Sequence, residues 1–205
     1  MKKGYFITIE GGEGSGKSTL ADNLKISLEA KGFEVLITRE PGGIEVSEKI
    51  RSVIMDYDIT PKTEALLFAA ARVEHLEKKV IPAINKGIIV ISDRYIDSSV
   101  VYQGFARGLG VDTIRDLNLW ATDNFLPSLT LFLNIDPQIG INRIMDNDRQ
   151  TNRFDHEADE FHQKLAKGYE IVLKDLNNVF ELDASLSKDE LTCISTKKIL
   201  ELINE

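Results

Sequence analysis

Residues 11–18 read Gly11-Gly12-Glu13-Gly14-Ser15-Gly16-Lys17-Ser18, and this stretch constrains the fold more than any other. A short apolar run, Tyr5-Phe6-Ile7-Thr8-Ile9, comes before it, and residues 19–30 follow with helical spacing. A glycine-rich turn from a strand into a helix start aims several backbone N–H groups into one small volume, where anions are favoured. The pattern G-x-x-x-x-G-K-[ST] adds specific chemistry: Lys17 brings a compact positive charge to the β- and γ-oxygens of a triphosphate, and the Ser18 hydroxyl can ligate Mg²⁺. Gly11, Gly12, Glu13, Gly14, Ser15, Gly16, Lys17, Ser18 and Thr19 are therefore the candidate nucleoside triphosphate site. A glycine-rich turn with a chance lysine is the bland alternative, and it would not require both flanks.

The rest of the chain fits that start. Its 205 residues suit one α/β domain, 1–205. Short apolar runs at 6–9, 35–37, 88–91, 129–135 and 179–182 alternate with helical stretches. That is the pattern of a parallel sheet of about five strands with helices on both faces. Ligands in such sheets sit beyond the carboxyl ends of strands. The residues there are Glu10 and the phosphate loop, Arg39-Glu40, Asp93-Arg94, Asp136, and Asp183-Ala184. Residues 146–155 are polar and weakly periodic, hold Arg149 and Arg153, and read as a short mobile lid loop. The net charge of −8 argues against a broad nucleic-acid surface. Cys193 is the sole cysteine, which excludes an intrachain disulfide and a Cys-based metal site. The N-terminal apolar run is too short for a signal peptide and no run suffices for a membrane span, so a cytoplasmic protein is expected.

Three further constellations bear on chemistry. Asp93 closes a buried strand beside the phosphate loop, where a carboxylate organises Mg²⁺, and Arg94 supplies a bidentate donor where phosphoryl groups meet. Alone, the pair also reads as a capping aspartate and a surface arginine. Residues 63–84 read as a long helix whose Ala65, Ala69, Arg72, Leu76 and Val80 fall in one row. Phe68 lies one turn before Arg72, so a planar ring could stack on Phe68 while Arg72 donates to its edge carbonyl. Helix geometry alone favours a structural arginine that snorkels or pairs with Glu74 or a distant acid. Residues 95–107 can place Tyr95, Ser98, Ser99, Tyr102 and Gln103 on one helical face opposite Phe68, although a mixed surface reads the same way.

These motifs together resemble the bacterial thymidylate kinases, nearly end to end. The resemblance is carried by the phosphate loop and by Thr38-Arg39-Glu40-Pro41-Gly42-Gly43, Glu48-Lys49-Ile50-Arg51 and Thr63-Glu64-Ala65-Leu66-Leu67-Phe68-Ala69-Ala70-Ala71-Arg72. Asp93-Arg94-Tyr95 and Tyr102-Gln103-Gly104 complete it. It implies a P-loop kinase that moves a phosphoryl group from Mg·ATP to dTMP and usually forms a homodimer. It further implies that Phe68 stacks on thymine, Arg72 contacts its O4, and Ser99 and Gln103 contact other base edges. Tyr102 would crowd the sugar 2′ position, and Arg94, Arg39 and Arg51 would hold the dTMP phosphate. Glu13 would sit near the acceptor sugar or the metal, and Ala184 near adenine. Some family members carry an arginine inside the phosphate loop; here its place falls to Arg149 and Arg153 of the lid. Two departures stand out: Ser47 where glycine is usual, and Ala71 where serine is frequent.

Rival readings make different demands. A GTP-dependent switch would want Asn-Lys-x-Asp, and Asn85-Lys86-Gly87-Ile88 lacks the aspartate. A nucleoside kinase would not need the positive charge of Arg39, Arg51, Arg72 and Arg94, whereas a kinase of another monophosphate such as dUMP would. A non-catalytic nucleotide-binding adaptor is at odds with intact Lys17, Ser18 and Asp93.

Overall fold

The structure is a computed structural model and describes residues 3–145, 154, 157–174 and 176–204. The chain runs β1 (Tyr5–Gly11), α1 (Lys17–Glu29), β2 (Val35–Arg39), α2 (Glu45–Asp56) and α3 (Pro61–His75). α3 passes through a π-helical turn (Leu76–Val80) into α4 (Ile81–Asn85), then β3 (Ile89–Asp93). Next come α5 (Ile96–Ser99), which runs into a π-helical segment (Val100–Ala106), α6 (Val111–Ala121) and β4 (Leu129–Asn134). The remaining elements are α7 (Pro137–Met145), α8 (Asp159–Leu173), β5 (Val179–Asp183) and α9 (Lys188–Asn204).

The five strands are all parallel, in the order β2-β3-β1-β4-β5. The α/β architecture expected from the alternating runs is thus the one observed. Successive strand residues face opposite sides of a sheet, and that rule sorts the core into two layers. Ile7 and Ile9 of β1, Ile89 and Ile91 of β3, and Leu131 and Leu133 of β4 pack against α1 and α9. Phe6, Val90 and Phe132 pack on the other side, against α3, α5 with its π-helical extension, and α8.

The same alternation positions the site. Continuing past Ile9 and Ile91, Asp93 falls on the α1 side, within reach of Ser18. Continuing past Phe6 and Thr8, Glu10 falls on the other side, beneath Tyr95, Ser98 and Tyr169. In β2, Leu36 belongs to that second layer, so Thr38 and Glu40 face α3, while Arg39 pairs in register with Asp93.

α3 starts where local chemistry directs: Pro61 occupies its first turn and the Thr60 side chain accepts the Thr63 N–H. The long helix expected over 63–84 is present but widens to π spacing at Leu76–Val80. Pro82 follows at once and has no N–H for the Lys78 carbonyl, so the strict α ladder cannot continue unbroken there. Among the described residues, no helix is long and apolar enough to cross a membrane.

Candidate active site

A single continuous cavity of about 1050 Å³ runs over the carboxyl ends of the strands. Ser185 and Ala184 border one end, the phosphate loop crosses the middle, and Phe68 and Arg72 border the other end.

At the middle, Gly14 and Gly16 have φ of +70° and +96°, conformations that glycine adopts without strain. A side chain on Gly14 would also run into the Gly140 carbonyl of α7, so the loop and α7 touch backbone to backbone. Lys17 Nζ folds back over the loop and donates to the carbonyls of Gly11 (3.1 Å) and Gly12 (2.7 Å). Burial, together with the neighbouring Arg94 charge, brings the Lys17 ammonium down to about 8, against the opposing pull of Glu13, Asp93 and Glu10. Thr19 also borders the cavity.

Ser18 Oγ donates to Asp93 Oδ2 at 2.7 Å. Two adjacent oxygen donors suit Mg²⁺, which keeps several waters and takes its remaining ligands from substrate phosphates rather than from an all-protein cage. Among the described residues, no group of three or more His, Cys, Asp or Glu side chains is arranged to hold a metal.

Arg94 has φ of +73°. A non-glycine residue held there costs on the order of 1–3 kcal/mol, and such positions concentrate at functional sites. The strain aims the guanidinium inward. Nη1 donates to the Gly11 carbonyl, Ser98 Oγ and Tyr169 Oη, and Nη2 donates to Glu13 Oε1 at 2.8 Å. The Tyr102 hydroxyl donates to the same Glu13 oxygen at 2.9 Å, and the Tyr102 ring lies under the guanidinium. Glu13 is therefore tied to the residues expected around the acceptor sugar. Beneath this cluster, burial raises the Glu10 carboxyl despite hydrogen bonds from Ser98 and Tyr95.

The Phe68 end of the cavity is organised by Arg72, which is 2 % exposed. Nε donates to Glu40 Oε2 at 2.6 Å, Nη2 donates to the Tyr95 carbonyl and to Ser99 Oγ, each at 3.1 Å, and Nη1 donates to Asn118 Oδ1. The distant acid is Glu40, not Glu74. Burial on its own would raise the Glu40 carboxyl, but Arg72 and His75 outweigh it and hold the group below the ordinary carboxylate range. Phe68 is half-buried beside Arg72 and packs against Phe154, whose ring also meets Tyr102 edge-on. Ser99, Tyr102 and Gln103 border the same end of the cavity, as one helical face requires. The two departures noted above lie together: the buried Ser47 hydroxyl donates to the Ala71 carbonyl at 2.8 Å, bracing α2 against the residue before Arg72.

Between the two ends lie Arg39 and Arg51. Arg39 Nη2 donates to both Glu48 carboxylate oxygens at 2.9 Å, and Arg51 Nη1 donates to the Pro41 carbonyl at 3.3 Å. Burial and the nearby Arg39 charge lower the Arg51 guanidinium from its usual value. At the far end, Arg143 Nη2 donates to the Ala184 carbonyl at 3.1 Å. Arg149 and Arg153 lie outside the described residues.

Sequence reasoning missed several participants. The role of Glu40 was recoverable from strand alternation, since it must face α3 if Arg39 faces α1. Asn118, Glu64 and Arg143 gave no such signal: each sits in a helix whose pattern is ordinary, and only tertiary packing brings Arg143 to the cavity and Asn118 and Glu64 to Arg72 and Gln103, which line it.

A sequence model of the thymidylate kinases matches residues 9–193. Similar proteins include the thymidylate kinase of Halalkalibacterium halodurans, 46% identical over 209 residues and covering 100% of both chains. That of a Geobacillus species is 46% identical over 206 residues, 98% of each chain. That of Clostridium novyi is 46% identical over 196 residues, 93% of this chain and 96% of its own.

Proposed function

The chain belongs to the thymidylate kinase family, and on that premise we propose that it transfers the γ-phosphoryl group of ATP to dTMP, giving dTDP and ADP. One observation carries the reading: a phosphate loop and a Phe68–Arg72 base site open into one cavity with arginines between them. Phosphoryl transfer asks for alignment and charge neutralisation more than for covalent help.

ATP lies with its phosphates in the loop from Gly11 to Thr19 and its adenine near Ala184. Lys17 leaves its carbonyl partners for the β- and γ-oxygens, whose negative charge favours the protonated amine. Ser18 and Asp93 hold Mg²⁺, which neutralises charge on the triphosphate oxygens. At the other end thymine stacks on Phe68, with Arg72 donating to O4 and Ser99 and Gln103 meeting other edges. Tyr102 crowds the 2′ position and selects deoxyribose, while its bond to Glu13 keeps it there. Arg39, Arg51 and Arg94 hold the dTMP phosphate in line, and Arg149 and Arg153 add further positive charge to the transferring phosphoryl group.

The chain works as one kinase domain in a homodimer. Support for the dimer comes from Val46 and Val53 of α2, Leu66 of α3 and Trp120 of α6, all exposed although large and apolar and carried on helices that pack side by side. ATP and a deoxynucleoside monophosphate are pools held inside the cell, which places the reaction in the cytoplasm.

The test is coupled ADP release with Mg·ATP against dTMP, dUMP, UMP, dCMP, dGMP, dAMP and thymidine. Selective turnover of dTMP is expected. Turnover of thymidine, or of dCMP in preference to dTMP, would discard the base site as read.

A further inference from the structure

Gln103 is 1 % exposed at the wall of the cavity. Its Nε2 donates to Glu64 Oε1 at 2.9 Å. Its own Oε1 is buried and takes no hydrogen bond from the described residues. An amide can be placed either way round, and its partners decide which. Here the partner is a carboxylate, which as an ion has no hydrogen to give. The Arg107 guanidinium lies 3.8 Å from that same Glu64 oxygen and also pairs with Glu157, so a fixed cation stands behind the carboxylate. Glu64 is itself 1 % exposed, which denies it the option of turning to solvent. The amide is therefore held with its N–H₂ toward Glu64 and its carbonyl on the opposite side, in a residue that borders the cavity. A buried carbonyl left without a donor costs about 1–3 kcal/mol, a penalty that a ligand N–H removes.

We propose that Glu64, backed by Arg107, is a specificity-determining positioning residue: it sets the orientation of the Gln103 amide so that a hydrogen-bond acceptor faces the base. This inference rests on the dTMP reading of the cavity. Thymine presents an N–H at ring position 3, whereas cytosine presents a lone pair there, which would oppose the Gln103 carbonyl. Arg72 and the Glu64–Gln103 pair then read different features of one ring edge, an exocyclic carbonyl and a ring proton. A site built around a hydrogen bond rejects the ring that cannot make it more strongly than shape alone can.

The first measurement uses the wild-type enzyme: dTMP is compared with its N3-methyl derivative. Acceptance of the methylated base with an unchanged kcat/KM overturns the proposal, and a large loss supports it. The second uses Glu64→Gln, whose neutral amide can donate as well as accept and so frees Gln103 to turn. The ratio of kcat/KM for dTMP over dCMP is expected to fall about tenfold or more, with the KM for ATP unchanged. An equal loss on both monophosphates, leaving the ratio intact, indicates mere packing and overturns the proposal. The third is the exchange Glu64→Gln with Gln103→Glu, which again pairs an amide with a carboxylate and returns an acceptor to the base. It is expected to recover dTMP selectivity, and it decides the matter if Glu64→Gln alone is unfolded; selectivity lost in a folded exchange variant refutes the role of Glu64. Absence of dTMP turnover in the wild type would instead sink the proposed function, and this inference with it.

Discussion

At the triphosphate end of the cavity, Lys17 finds its partners in Gly11, Gly12 and Ser15, no more than 6 residues away. At the Phe68 end, Arg72 is held by Tyr95, Ser99, Glu40 and Asn118, separated from it by 23 to 46 residues. The first end is a local device that folds with its own strand, turn and helix. The second exists only once β2, α3, α5 and α6 have been brought together. Injury to the first should therefore register in chemistry, and injury to the second in stability as well as recognition.

The sharpest way to break that contrast is to remove Glu40. Arg72 would then be a buried cation without its anion, and breaking such a pair costs about 3–5 kcal/mol. Glu40→Ala is accordingly expected to lower the denaturant midpoint steeply, with no change in the slope of the transition. Wild-type stability in this variant would show that Asn118 and the Tyr95 carbonyl hold Arg72 by themselves.

Lys17→Ala should behave in the opposite sense. It deletes charge that neutralises the transition state, so kcat should fall about a hundredfold or more. Stability should not fall with it, because the lysine is a buried cation whose desolvation opposes folding. Near-normal turnover would remove Lys17 from its assigned role. A smaller effect comes from Arg72→Lys, which keeps the charge opposite Glu40 but loses the planar fork. The KM for dTMP should rise roughly tenfold, the price of one well-placed hydrogen bond, while the KM for ATP stays put. Equal changes in both constants would mark Arg72 as a fold residue alone.

The same contrast explains what could be read from the sequence. The phosphate loop was legible because its residues are contiguous and their spacing is itself the geometry. The sheet was legible because runs such as Ile89-Val90-Ile91 leave little choice once flanked by helical stretches. Phe68 and Arg72 were visible as a pair on one helix row, yet which acid met Arg72 was not, since Glu74 is near in sequence and Glu40 near only in space. The Gln103–Glu64 bond was hidden for the same reason: its partners lie on different helices, 39 residues apart. The Pro82-linked π turn also escaped helical periodicity, which carries no signal for one extra residue per turn.

The least disruptive probe of the contrast is pH, acting on Lys17 alone among the residues compared. Its pKa of about 8 in the free protein lies below the ordinary 10.5, with burial the main cause. Between those values the unfolded chain holds more protons than the folded one, so stability rises with pH across that interval. The unfavourable contribution of Lys17 is present in full below pH 8 and is relieved as pH climbs toward 10.5. Lys17→Met should thus stabilise the free protein most near pH 7, and its advantage in Tm should shrink by pH 9.5. A bound triphosphate reverses the balance by surrounding the amine with negative oxygens. Binding ATP at pH 8.5 should then draw a fraction of a proton from solution, visible in titration calorimetry as a binding heat that depends on the buffer's ionisation enthalpy. Lys17→Met should abolish that uptake. Equal buffer dependence in the two proteins would mean that the proton is taken up elsewhere, and that Lys17 is already charged before the nucleotide arrives.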